Sequence, residues 1–233
     1  MPEIKERPIL FSAPMVRAIL EGRKTVTRRP VKVQPHIDAS GNFCVGKSNY
    51  GQDGYGKPVT KHFVNGCCPF GKPGDRLWVR ETWARVGNCD PGYLTFGATY
   101  PACLPPELEN IPAASEIRWK PSIHMFRRDS RIVLEITAVR VERLQDISDE
   151  QAEAEGIIPV PKTTEGSHQF WRNYHLSGDG TFCVRTPKES FKSLWCHVAG
   201  GSFPKGEAAY KASPYSWEAN PWVWVVEFKR VTP

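Results

Sequence analysis

The sequence contains no apolar run approaching the roughly 18 residues that a membrane-spanning helix needs, and its mean hydropathy is -0.44. It also lacks the pattern of a secretory leader, because the charged opening segment Met1–Arg7 leads into no apolar stretch. These two absences predict a cytoplasmic protein that has no membrane partner.

A metal-binding cysteine pattern is also missing. No Cys-x-x-Cys pair occurs, and the seven cysteines are an odd number, which is typical of free thiols in a reducing compartment. His62, Cys67 and Cys68 could form half of a zinc site, but adjacent cysteines rarely chelate one tetrahedral ion well. We therefore expect no metal and no cofactor.

The chain is long enough to bury a full core without disulfides or metals, since it has 233 residues of which 40% are hydrophobic. Short strand patterns alternate with two or three short helical patterns, which predicts an α+β fold built on a small sheet or barrel. The 21 prolines and 19 glycines concentrate in irregular stretches. We predict a single domain over residues 1–233, with loop insertions at about 31–74, 87–121 and 157–220.

The net charge of +6 permits a nucleic-acid partner without requiring one. Its distribution is uneven, because the first 35 residues hold eight cations and three acids. The positive charge therefore concentrates around the turn that follows the first predicted helix. This concentration makes a polymer or a phosphorylated nucleotide a ligand to consider.

That turn carries the pattern Gly22, Lys24, Thr27 and Arg29, with a cation and a hydroxyl three residues apart. A lysine whose pKa is lowered by burial or by neighbouring cations can act as a general base, and it could then activate a threonine nucleophile. The alternative is a solvated basic patch that stabilises the carboxyl end of the helix.

A predicted strand in the middle of the chain supplies a second set of candidates. Its alternation places Arg76, Trp78 and Arg80 on one face, a pattern of stacking and phosphate contacts. Glu81 and Trp83 fall on the opposite, apolar face. A carboxylate there is costly unless paired, so we expect Glu81 to line the binding pocket or to pair with the lysine of the turn.

Four segments together resemble the ASCH domain, a small β-barrel related to the PUA domain of RNA-modifying proteins. The helix and turn over Phe11–Arg29 are similar to its opening, and their last eight residues fit its hallmark Gly-x-Lys-x-x-x-x-Arg. Gly74–Val79 is similar to its turn into a central strand, Ile132–Ile157 to its strand and acidic helix, and Trp224–Phe228 to its closing strand. The whole chain further resembles a larger phage- and prophage-associated branch.

The resemblance implies a PUA-like barrel that binds a nucleoside or nucleic acid, RNA more readily than DNA. Some members are amidohydrolases of N4-acetylcytidine that use a lysine, a threonine three residues later and a glutamate in the acidic helix. By this similarity Lys24, Thr27 and Glu155 would be catalytic, and Arg28 and Arg29 would contact the substrate.

One ambiguity within this activity and two alternatives to it remain open from the sequence. Glu150 and Glu153 lie on the same predicted helix as Glu155, so the third catalytic position is ambiguous. The chain could also be a module that binds RNA or modified DNA without chemistry. Another ASCH member is a metal-dependent ribonuclease, which is a further reading of the resemblance.

Overall fold

The computed structural model describes residues 3–87, 90–162, 167–174, 182–199 and 213–231. Four α-helices occur among them: α1 (Ala13–Leu20), α2 (Lys61–Cys67), α3 (Asp149–Ala154) and α4 (Pro187–Ala199). The strands are β1 (Glu6–Leu10), β2 (Val26–Pro30), β3 (His36–Ile37), β4 (Phe43–Val45), β5 (Ser48–Asn49), β6 (Arg76–Arg80), β7 (Trp83–Val86), β8 (Tyr93–Phe96), β9 (Val133–Arg143), β10 (Pro159–Val160), β11 (Phe170–Arg172), β12 (Cys183–Val184) and β13 (Trp222–Val231).

A five-stranded sheet in the order β1-β6-β9-β13-β2 forms the centre of the fold. β1 runs parallel to β6, and the other neighbours are antiparallel. β13 lies between two partners and is apolar on both faces, as expected of a strand covered on both sides. Trp224 and Val226 pack into one hydrophobic cluster with β1, β6 and β9, while Val223 and Val225 pack into a second cluster with α3 and α4.

β9 contains a β-bulge, at which the alternation of side chains between the two faces of the sheet changes phase. The register with β13 pairs Phe228 with Ile136 but Glu227 with Ala138, so Thr137 has no opposite residue. An extra residue of this kind bends the strand and moves the following side chains to the other face.

The stretch 31–74 has more regular structure than its sequence predicts. The stretch 31–74 is not simply a loop, because it contains a three-stranded sheet of β3, β4 and β5 as well as α2. Phe43 and Phe63 from this stretch are buried against Trp222 and Trp224. Long-range aromatic packing therefore orders a segment whose sequence lacks a periodic pattern. Because α2 lies in this segment, the described residues contain four α-helices, where the sequence predicts two or three.

The α+β class is confirmed, whereas closure of a barrel is not. In the residues with described positions, no strand pairing joins the two edge strands β1 and β2. Within the same residues no helix has the length and apolarity to span a bilayer. Cys89 and much of the predicted insertion at 157–220 lie outside the described residues, and the six described cysteines are free thiols.

Candidate functional site

The turn after α1 is held against the carboxyl end of α3. Gly22 takes the left-handed conformation with φ of +75°, which glycine adopts without steric cost. The chain then reverses, and the Thr25 amide donates to the Ala154 carbonyl at 2.9 Å. The Arg23 guanidinium donates to the Gly156 carbonyl at 3.1 Å. The turn thus supplies donors to carbonyls that the end of the helix leaves without partners.

The Lys24 side chain points into the protein at this junction and is buried. Its ammonium donates to the Glu155 carboxylate at 2.7 Å, to the Glu155 carbonyl at 2.8 Å and to the Val26 carbonyl at 2.8 Å. These three bonds use all three ammonium protons. Burial lowers the pKa of Lys24 below its ordinary value of 10.5, while Glu155 acts in the opposite direction. Lys24 is therefore a buried lysine whose neutral form is more accessible than that of an exposed one.

Glu155 is shared between two buried cations. Besides Lys24, its second carboxylate oxygen accepts from Arg28 at 3.3 Å. Arg28 also donates to the Gln151 side-chain oxygen at 2.7 Å, and the same oxygen accepts from the Ser148 amide in the capping box of α3. Burial lowers the pKa of Arg28 as well, although the nearby carboxylates oppose this. The acidic helix is thereby fixed relative to the turn through side chains from both elements.

These groups line one cavity of about 310 Å³, here called the Lys24 cavity. Lys24, Thr27 and Glu155 all contribute to its wall, together with Arg28 and Arg29. Thr27 is buried, yet its hydroxyl has no hydrogen-bond partner within the described part of the chain. The three residues that the ASCH resemblance implies to be catalytic therefore converge on one space.

The rest of the wall is largely aromatic and apolar. Phe11 comes from the segment after β1, and Phe191 and Trp195 come from α4. Arg29 lies with its guanidinium carbon 5.4 Å from the centre of the Phe11 ring. An apolar wall with a few convergent polar groups is typical of small-molecule sites.

The other five predicted site residues lie outside the Lys24 cavity: Arg76, Trp78, Arg80, Glu81 and Trp83. Arg76, Trp78 and Arg80 belong to β6, and the Arg80 guanidinium lies 4.7 Å from the centre of the Trp78 ring. Trp83 begins β7 and packs in a small separate cluster with Phe96. β6 ends at Arg80, so the continuous strand expected up to Trp83 is interrupted.

The predicted pairing of Glu81 with Lys24 is wrong. Glu81 is buried, but both of its oxygens accept from Arg131, at 2.9 and 3.0 Å. Glu81 follows the last residue of β6, so the alternation that assigned its face no longer applies. Its partner is 50 residues further along the chain, a distance over which local patterns carry no information.

Sequence reasoning did not assign Gln151, Phe191 and Trp195 to the site. Gln151 was recognisable only as a helix cap, and its contact with Arg28 depends on where α3 packs. The spacing of Phe191 and Trp195 indicates a helix but not which cavity the helix covers. Their contribution to the site depends on how α3 and α4 pack against the turn, which local sequence patterns do not show.

In the described ranges, no group of three or more His, Cys, Asp or Glu side chains could hold a metal ion. Comparison of the chain with protein-family models, with curated proteins and with solved structures finds no match. The ASCH resemblance therefore depends on the residues of the chain itself.

Proposed function

We propose that this protein binds an N4-acylated cytidine and hydrolyses its exocyclic amide. The observation that supports this most is the convergence of Lys24, Thr27 and Glu155 on one cavity with aromatic walls. Its volume of about 310 Å³ is at the lower end of the range for small-molecule sites, about 300–1,000 Å³. That size suits one nucleoside, whose base can stack on the aromatic wall.

In the proposed reaction the neutral Lys24 amine comes within hydrogen-bond distance of Thr27 when substrate binds, and it takes the hydroxyl proton as the threonine oxygen attacks the acyl carbon. The bond from that carbon to N4 then breaks, and N4 receives the proton from the Lys24 ammonium. Water, activated by the same amine, hydrolyses the acyl-threonine ester and releases a carboxylic acid. Glu155 positions the Lys24 nitrogen through its contact at 2.7 Å.

We further propose that the fold is the PUA-like fold of ASCH proteins. Supporting this, the Gly22–Arg29 hallmark forms the turn of the site, and the acidic helix α3 packs directly on it. The cluster that contains Leu77, Leu134 and Trp224 packs side chains of β6, β9 and β13 together, as the interior of a barrel would.

Removal of the Thr27 hydroxyl tests the activity directly. We expect Thr27→Ala to lower the rate of cytidine release from N4-acetylcytidine about 10³-fold or more, because the nucleophile is lost. Thr27→Ser should retain measurable turnover. Thr25→Ala is the matched control, since Thr25 lies in the same turn but is exposed. Chromatography of the nucleosides measures the rate.

Equal rates in Thr27→Ala and the wild type would contradict the hydrolase proposal. Binding of the nucleoside without turnover in any variant would instead favour the module without chemistry. RNA cleavage that stops on addition of a chelator would favour the ribonuclease.

The pH profile gives an independent prediction about Lys24. Because only the neutral amine accepts a proton, kcat/KM should rise with pH as Lys24 loses its proton. Burial lowers the pKa of Lys24, so the midpoint of this rise should lie below 10.5. Lys24→Arg should lack the rise, since the guanidinium stays protonated. A rise with an unchanged midpoint in Lys24→Arg would show that another group is the base.

A further inference from the structure

A second cavity, of about 300 Å³, lies beyond the carboxyl end of β6. It is here called the Arg80 cavity, and its wall consists of Arg80, Trp83, Lys120, Ile123, His124, Met125 and Phe126. None of these residues lines the Lys24 cavity, and none is an acid.

The backbone places Lys120 against Trp83. The two residues form an isolated antiparallel bridge, in which the Trp83 amide donates to the Lys120 carbonyl at 3.2 Å and the Lys120 amide donates back at 2.7 Å. Directly opposed residues of such a pair carry their side chains on the same face. The Lys120 ammonium accordingly lies 4.6 Å from the centre of the Trp83 ring.

His124 lies at the cavity wall because the next residue, Met125, is fixed in a hydrophobic cluster. Met125 is buried and packs with Trp83 and Phe96. A 3-10 turn at Ser122–His124 precedes it and brings His124 beside the same wall. The polar lining thus comes from two stretches, residues 80–83 and 120–126, that are each held by backbone or core contacts.

The two cations of this cavity, Arg80 and Lys120, have no acid partner among the described residues; Arg80 is half-buried, whereas Lys120 and His124 are exposed. Across the described ranges, Arg80, Lys120 and His124 form no ion pair and no side-chain hydrogen bond. Arg80 Nε and Trp83 Nε1 are buried without an acceptor. Trp83 is more than nine-tenths buried. Buried donors normally have partners, so a cationic wall with two unsatisfied donors favours an anionic ligand.

The two cavities adjoin at the ends of the parallel strands β1 and β6. Leu10 pairs with Arg80, and the Phe11 amide donates to the Arg80 carbonyl at 3.1 Å. Leu10 and Phe11 line the Lys24 cavity, whereas Arg80 lines the other. Residues that are backbone neighbours thus line different cavities, which places both cavities at the same end of this strand pair.

We propose that the Arg80 cavity binds the phosphate group of a nucleotide. Arginine and lysine donors suit phosphate oxygens, and the exposed side chains of Ile123 and Phe126 offer apolar contact beside them. The assignment of this phosphate to a nucleotide rests on the function proposed for the Lys24 cavity. The anion site itself depends only on the residues of its own wall.

Calorimetric titration tests the phosphate site with cytidine, cytidine 5′-monophosphate and a short single-stranded oligoribonucleotide as probes. We expect the monophosphate to bind at least about tenfold more tightly than cytidine, since a charge-assisted contact contributes at least that factor. Lys120→Gln should remove most of this difference and leave the affinity for cytidine unchanged. Arg80→Gln should act in the same direction.

Lys192→Gln is the matched control, because Lys192 also lies over an indole, 6.0 Å from the Trp217 ring centre, in a cavity that contains acids. Equal affinities of the wild type and Lys120→Gln for the monophosphate would overturn the proposal. If the monophosphate binds in a Lys120-dependent way but N4-acetylcytidine is neither bound nor hydrolysed, the phosphate site stands and the function proposed for the Lys24 cavity fails.

The oligoribonucleotide distinguishes the two sources of the phosphate. Tighter binding of the strand than of the monophosphate, with a salt dependence that weakens in Lys120→Gln, would support a polymer as the ligand. Equal binding of both probes would support a free nucleotide. Both results support a phosphate site, provided that Lys120→Gln weakens the binding.

Discussion

Replacement of Glu155 by glutamine is expected to destabilise the protein by about 3–5 kcal/mol, the range for removing one partner of a buried ion pair. Glu155 is the carboxylate that pairs with both Lys24 and Arg28, and all three side chains are buried. A neutral amide of the same shape leaves the buried Lys24 without a carboxylate and presents an NH₂ donor to a buried cation, whereas Arg28 keeps the Glu142 carboxylate at 3.7 Å. The same variant should also lose hydrolysis, because the Lys24 nitrogen is no longer positioned.

Urea unfolding followed by tryptophan fluorescence measures the loss of stability. Glu153→Gln is the matched control, since Glu153 lies on the same helix but is exposed, and it should change stability by less than about 0.5 kcal/mol. Lys24→Met combined with Glu155→Gln should recover part of the stability without activity, because one buried charge is removed together with its partner. If Glu155→Gln and Glu153→Gln unfold at the same urea concentration, the buried network does not contribute as described.

Gly156→Ala is the second substitution with a large expected effect, about 2–5 kcal/mol of lost stability from backbone strain and overpacking together. Gly156 has φ of +85°, and a Cβ there would lie 2.8 Å from the Ala18 Cβ and 2.9 Å from the Lys24 Cβ. Neither neighbour can move easily, because α1 and the turn are packed on the sheet. The added methyl group should therefore push the end of α3 away from the turn and separate Glu155 from Lys24.

Gly22→Ala isolates the backbone part of this effect. Gly22 has a similar φ of +75°, but a Cβ there would meet nothing within 4 Å. It should cost only about 1–2 kcal/mol, the strain of the left-handed conformation. The difference in unfolding free energy between the two variants measures the close approach of α3 to the turn, and equal losses would contradict that approach.

Local chemistry explains which features were predictable. The capping box of Ser148 and Gln151 forms as their spacing indicates, and the closing strand expected at Trp224–Phe228 lies within β13. Gly22 turns the chain after α1, so the position of Lys24 just beyond the helix also follows from the sequence. Each of these features depends on residues within one element or one turn, where spacing and propensity act directly.

Which charged side chains pair with each other across the fold depends on the tertiary structure alone. The acidic helix offers Glu150, Glu153 and Glu155, and its packing on the turn selects Glu155 as the residue that meets Lys24. The same holds for Glu81, which pairs with Arg131 rather than with the site.

The sequence by itself determined that a basic turn carries a lysine and a threonine at a fixed spacing, because that spacing is a local property of the chain. Only the tertiary structure decided that Thr27 reaches the same cavity as Lys24, and that Arg80 and Lys120 line a second cavity beside it. Such convergence depends on the packing of segments far apart in the chain, for which the sequence has no periodic signal.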